Sequence, residues 1–248
     1  MDYFRFGRGK DTLVLVPGLS VQSVMISANA VAQAYASLAE DYTIYVFDRR
    51  KNLPEVYSMW DMAEDTVQAL HSLGLNRVNF FGASQGGMIS MEIAIRRPEL
   101  VRKLVLGSTS ACVTDEQFSL FDKWIQLAES GDARTLYLAF GEALYPEAMF
   151  EASKELLTEL AKTVRKEELR RFVILAKALQ GFNITDGLSK ISCPTLVIGD
   201  TDDRVLGPEA SRLIAERVGG ELWMYDGYGH AAYDTAPDYR ERVARFLV

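Results

Sequence analysis

The sequence predicts an α/β fold, a mostly parallel central sheet flanked by helices with a helical cap inserted between two strands. Three observations carry that prediction. Short apolar, β-branched runs alternate with amphipathic helical patterns from about residue 12 to residue 107, the rhythm of βαβ units. From about Thr114 to Gln180 only helical patterns remain, and the alternation resumes at Pro194. Within the first alternating stretch, Asn79-Phe80-Phe81-Gly82-Ala83-Ser84-Gln85-Gly86-Gly87-Met88 reads as a strand, a sharp turn and a helix.

The elements follow in order. Tyr3 to Phe6 fits a short edge strand, and Thr12 to Val16 is a continuous apolar run, as in a strand buried on both faces. Pro17-Gly18-Leu19-Ser20 ends it. An alanine-rich helical pattern spans Ser27 to Leu38, and Thr43 to Phe47 is the next buried strand, with Asp48-Arg49-Arg50 at its carboxyl end. Trp60 to Leu73 reads as a helix stopped by Gly74. After the central strand and its helix, Lys103 to Leu106 is a strand leading into Gly107-Ser108. Beyond the helical block come a strand at Pro194 to Ile198, a helix near Glu209 to Val218, a strand at Glu221 to Tyr225 and a final helix to Val248. Residues 1–112 and 186–248 form the core of one domain, and 113–185 the cap. The aromatic stripe in the cap (Phe118, Phe121, Trp124) has helical spacing and reads as core.

A length of 248 residues suits one such domain. Hydrophobic content of 48% and charged content of 25% are globular averages, and a formal net charge of -7 argues against a nucleic-acid partner. No secretory signal and no membrane span are visible, so a cytoplasmic protein is expected. Cys112 and Cys193 lack metal-ligand spacing. No metal or cofactor is implied.

The central turn matches G-x-S-x-G, in which small neighbours let a serine occupy a strained corner between strand and helix. Five such positions arise by chance in roughly one chain in ten of this size, so the pentapeptide needs partners. Histidine is scarce, which sharpens the search. His71 lies near the end of a helix upstream of Ser84 and reads as a solvated residue. His230 lies in the glycine-rich loop Asp226-Gly227-Tyr228-Gly229-His230, after the last strand. Such a loop brings a base to a nucleophile on a neighbouring strand. The loop after the preceding strand, Gly199-Asp200-Thr201-Asp202-Asp203, supplies carboxylates able to hold an imidazole in one tautomer. Asp202 ranks first and Asp203 is the alternative, because spacing leaves one residue of loop register open.

Taken together, Pro17-Gly18-Leu19, Asp48-Arg49, Gly82-Ala83-Ser84-Gln85-Gly86-Gly87, Gly199 to Asp202 and Gly229-His230 give the chain a resemblance to the α/β-hydrolase fold family over nearly its whole length. The resemblance implies the chain order nucleophile, acid, histidine, which Ser84, Asp202 and His230 obey. It favours Asp202, three residues after the strand-ending glycine, and implies an oxyanion hole from the backbone N–H groups of Leu19 and Gln85. It implies a serine hydrolase with a small-molecule acyl substrate, a carboxylesterase on small or medium acyl esters. A lactonase, thioesterase, C–C hydrolase or aminopeptidase shares the fold, as does a small-ligand receptor with a retained triad. Two departures stand out: Pro17-Gly18 where many relatives have His-Gly, and Arg49-Arg50-Lys51-Asn52 in place of Arg-Gly-x-Gly. Met25, Met88, Tyr228 and Tyr233 flank the inferred catalytic loops and are candidates to line an acyl pocket. The run Arg165, Lys166, Arg170, Arg171 reads as a solvated helix face.

Overall fold

Seven apolar runs pair into one sheet. The computed structural model describes residues 1–248, with strands Tyr3–Phe6 (β1), Asp11–Val16 (β2), Tyr42–Phe47 (β3), Val78–Ala83 (β4), Val101–Gly107 (β5), Thr195–Asp200 (β6) and Glu221–Tyr225 (β7). Their order across the sheet is β1-β3-β2-β4-β5-β6-β7. The edge strand β1 runs antiparallel to β3, and all other pairings are parallel. β4 and β6 are buried at every position, because helices cover both faces of a parallel sheet, and their sequences are accordingly mostly apolar rather than alternating. The edge strand β7 is largely exposed.

Helices Ala28–Ala34 (α1), Met59–Ser72 (α2) and Gln85–Arg96 (α3) connect the first half of the sheet. α2 starts on a reciprocal capping box between Ser58 and Asp61 and stops at Gly74, whose φ of +67° suits glycine. The helix expected from Ser27 to Leu38 is shorter. Its α-helical part is α1 alone, with 3-10 turns at Val24–Ser27 and Ala36–Leu38. Ser27 makes no side-chain cap, whereas Ser23 caps the preceding turn, and Tyr35 leaves the helical path to enter the core.

Between β5 and β6 stand four helices, Asp115–Ser130 (α4), Ala133–Leu144 (α5), Glu147–Ala161 (α6) and Lys166–Lys177 (α7). They lean on loops at the carboxyl ends of the strands. The Leu144 carbonyl accepts from the Ala231 N–H at 3.0 Å, Tyr137 donates to Gln22 at 2.8 Å, and Gln117 donates to the Leu206 carbonyl at 2.6 Å. Trp124 lies buried between Phe121 and Phe140, with ring centroids 5.3 and 4.7 Å away, so the aromatic stripe is core. Burying each such ring contributes about 1.5–3 kcal/mol.

Helices Pro208–Val218 (α8), Ala232–Thr235 (α9) and Tyr239–Leu247 (α10) complete the chain. The larger hydrophobic cluster lies on the α2–α3 face of the sheet and runs into α4, α5 and α7, and the smaller one lies on the face covered by α1 and α10. No helix is long and apolar enough to cross a membrane.

Candidate active site

Ser84 sits at the corner between β4 and α3 with φ +52° and ψ -123°. A non-glycine residue held there costs on the order of 1–3 kcal/mol, which the surroundings must supply. They do so through the backbone. The Ser84 N–H donates to the Gly107 carbonyl at 2.8 Å, and Thr109 Oγ1 donates to the Ser84 carbonyl at 2.7 Å. Tight packing explains the flanking glycines. A Cβ on Gly82 would lie 2.4 Å from the Gly86 carbonyl oxygen, and one on Gly86 would lie 1.9 Å from that of Val16.

His230 follows β7 and is buried. Its Nε2 lies 3.0 Å from Ser84 Oγ, and its Nδ1 lies 2.9 Å and 3.0 Å from the two carboxylate oxygens of Asp203. A proton on Nδ1 is therefore donated to the carboxylate, leaving Nε2 to accept from the Ser84 hydroxyl. Burial pushes the Asp203 pKa up. The His230 ring and the N–H groups of Leu206 and Val205 outweigh it and hold the carboxyl below the usual carboxylate range.

The expectation that Asp202 stands against His230 is corrected to Asp203. β6 runs on through Asp200, which is fully buried and binds two N–H groups, Asp202 at 2.8 Å and Tyr228 at 2.9 Å. That anchor puts Asp202 on the exposed outer turn and makes Asp203 the first side chain directed inward. Asp202 borders only a cleft of about 60 Å³ shared with Tyr145, Pro146 and Gly229.

Leu19 and Gln85 flank Ser84. Gln85 opens α3, where first-turn N–H groups lack intrahelical acceptors. The loop carrying Leu19 presses its backbone on the serine, since a Cβ on Gly18 would lie 3.1 Å from Ser84 Cβ and 3.7 Å from its Oγ. The Gln85 side chain donates to the Leu175 carbonyl of α7 at 2.7 Å.

Two arginines join this region, and sequence reasoning assigned neither a part in it. Arg49, almost wholly buried, donates to the Pro17 carbonyl at 2.8 Å and lies 3.5 Å from Gln85 Oε1. Arg171 of α7 pairs with Asp48, which also binds Ser23 and the Arg49 N–H. Arg171 is therefore no part of a solvated face, although Arg165, Lys166 and Arg170 are exposed. The Asp48 carboxylate thus takes the Arg171 guanidinium and the Arg49 backbone N–H, while Arg49 Nε and Arg171 Nη1 have no partner. Burial and the Arg171 charge bring the Arg49 pKa down to about 10. The only sequence signal was Asp48-Arg49 ending a buried strand.

Met88 as a pocket residue is also corrected. It points into the core and has no exposed surface, because α3 packs along the sheet from its first turn onward. Met25 is half-buried in its 3-10 turn, with its N–H on Ser23 Oγ at 3.2 Å. Tyr228 packs edge-on to Tyr225, 5.6 Å between centroids. Tyr233 lies edge-on to the His230 ring, 6.4 Å between centroids, and lines a cavity. His71 is exposed.

Comparison with known proteins relates the chain to a large group. The family profile for the alpha/beta hydrolase fold covers residues 11–237. "Putative carbamate hydrolase RutD" of Rhizobium rhizogenes is 30% identical over 246 residues, 95% of this chain and 92% of that protein. Its namesake in Agrobacterium fabrum is 29% identical over 226 residues, 86% of this chain and 85% of that one. Among solved structures, the alpha/beta hydrolase MGS-M2 from a Medee basin deep-sea metagenome library superposes with a TM-score of 0.88 at 21% identity, covering 99% of this chain and 93% of its own. The enol-lactonase of Burkholderia xenovorans gives 0.85 at 20% identity, covering 99% and 95%. At that identity these structures speak to fold alone.

Proposed function

The chain belongs to the α/β-hydrolase fold family and is a hydrolase, and from that premise we propose that it is a serine carboxylesterase acting on small or medium acyl esters. The observation that carries the reading is the hydrogen-bonded line from Ser84 Oγ through the His230 ring to Asp203. In this mechanism Ser84 attacks the acyl carbon while His230 Nε2 takes its proton. The backbone N–H groups of Leu19 and Gln85 hold the developing oxyanion, and Asp203 stabilises the imidazolium. The imidazolium then protonates the departing alcohol. Water, deprotonated by the same nitrogen, attacks the acyl-enzyme, releasing the acid and regenerating Ser84. The inserted helices serve as a cap that keeps bulk water from the acyl-enzyme.

A second reading is favoured by the relatives called carbamate hydrolases. The same attack on a carbamate carbonyl would expel the alcohol and leave a carbamoyl-enzyme, which water then hydrolyses. The test is hydrolysis of p-nitrophenyl esters of increasing acyl length beside p-nitrophenyl and alkyl carbamates. Turnover peaking at one acyl length supports the esterase, and a preference for carbamates transfers the proposal to the second reading. Ser84→Ala should lower kcat by at least about 10⁴-fold on either substrate. Full turnover in that variant would overturn both.

A further inference from the structure

A second cavity lies on the sheet face covered by α1 and α10. Its volume is about 400 Å³, within the range of small-molecule sites. Val31 and Ala34 of α1, Phe81 and Leu15 of the sheet and the ring of Tyr233 give it apolar walls. Gly18 and Ala83 close the end nearest Ser84, so it shares a wall with the candidate active site without containing any of its reacting groups.

One end is polar. Asp234 and Arg240 both line the cavity, and their nearest oxygen and nitrogen are 3.9 Å apart, beyond hydrogen-bonding distance. The Arg240 guanidinium is held over the Tyr35 ring, 5.3 Å from its centroid. The Asp234 side chain lines this end of the cavity and keeps about half its surface open (54%). Desolvation there, only partly offset by Arg240, pushes its pKa up to about 6, so it is ionised at pH 8.

We propose that this cavity binds a small apolar alcohol whose hydroxyl bridges Asp234 and Arg240. An oxygen about 2.8 Å from each of two atoms separated by 3.9 Å meets them at roughly 90°, an angle a hydroxyl accommodates while donating to one and accepting from the other. The polar end suits a neutral ligand group. For a charged ligand the attraction of one of these groups is opposed by the repulsion of the other, whereas an uncharged group that donates and accepts satisfies both. The apolar body of the ligand takes the remaining volume against α1 and the sheet. The site does not depend on the proposed activity, because none of its groups enters that mechanism.

The experiment uses the full chain carrying Ser84→Ala, so that the alcohol cannot act as an acyl acceptor. Benzyl alcohol is titrated at pH 8 while the Val31 and Leu15 methyl resonances are followed by NMR, with toluene as the hydroxyl-free control. The expected result is saturable movement of these methyls, with benzyl alcohol bound about ten-fold more tightly than toluene, the effect of a charge-assisted hydrogen bond. Asp234→Ala should erase that preference, and Ala34→Phe or Val31→Phe, which fill the cavity from α1, should abolish binding. Equal affinity for the two probes overturns the proposal without recourse to any cavity variant, as does the absence of saturable shifts.

Discussion

Asp203 and Asp202 are neighbours with different fates, and the difference is measurable. Asp203 accepts from His230 and from two backbone N–H groups, whereas Asp202 is exposed. Replacing Asp203 by Asn leaves the packing nearly intact but removes the anion that fixes the ring tautomer. Under the proposed mechanism Asp203→Asn should lower kcat by roughly 10³–10⁴-fold. Asp202→Asn should stay within about two-fold, since a surface change of this kind moves free energy by only a few tenths of a kcal/mol. Steady-state kinetics on the two variants decide the point. Equal effects would mean that the loop rearranges in solution.

The elements meet at Asp48. This carboxylate ends β3, receives the Arg49 N–H and pairs with Arg171 from α7. Through Arg49 and Gln85 the same cluster reaches the Pro17 carbonyl and the Leu175 carbonyl. The inserted helices are thus tied to both loops proposed to hold the oxyanion. Removing Asp48 leaves the Arg171 guanidinium without its ion-pair partner, next to the buried charge of Arg49. Asp48→Ala should therefore destabilise the protein by about 3–5 kcal/mol, read as a fall in urea midpoint at unchanged m-value. A loss below about 1 kcal/mol would show that the cluster is hydrated and weakly coupled.

At the scale of the whole molecule, two carboxylates impose opposite pH dependences on stability. Asp203 lies below its ordinary pKa in the folded chain. Its contribution is present above the unfolded value, about 3.9, and is lost as pH falls through the folded one. Asp234 is pushed up to about 6, so its contribution is present below about pH 4 and is lost as pH rises through 6. Urea midpoints from pH 4 to 7 should show Asp234→Asn gaining on the wild-type chain as pH rises. Between strongly acid solution and pH 5, the wild-type chain should instead gain on Asp203→Asn. A flat difference for either variant would mean that its carboxyl has the same pKa folded and unfolded.

By itself the sequence determined the alternation of strands and helices, the inserted helical block and the pairing of Ser84 with His230. These rest on local requirements: apolar runs long enough for buried strands, glycines where Cβ atoms would strike backbone, and one histidine in a loop beyond the last strand. Only the tertiary structure decided which aspartate faces His230, because that direction depends on Asp200 binding the Tyr228 N–H, 28 residues away in the chain. It alone took Arg171 out of solvent to Asp48, across 123 residues, and turned Met88 into the core. A shift of one residue turns a side chain by about 100° on a helix and to the opposite face on a strand, and what holds such a register in place lies in contacts between elements far apart in sequence.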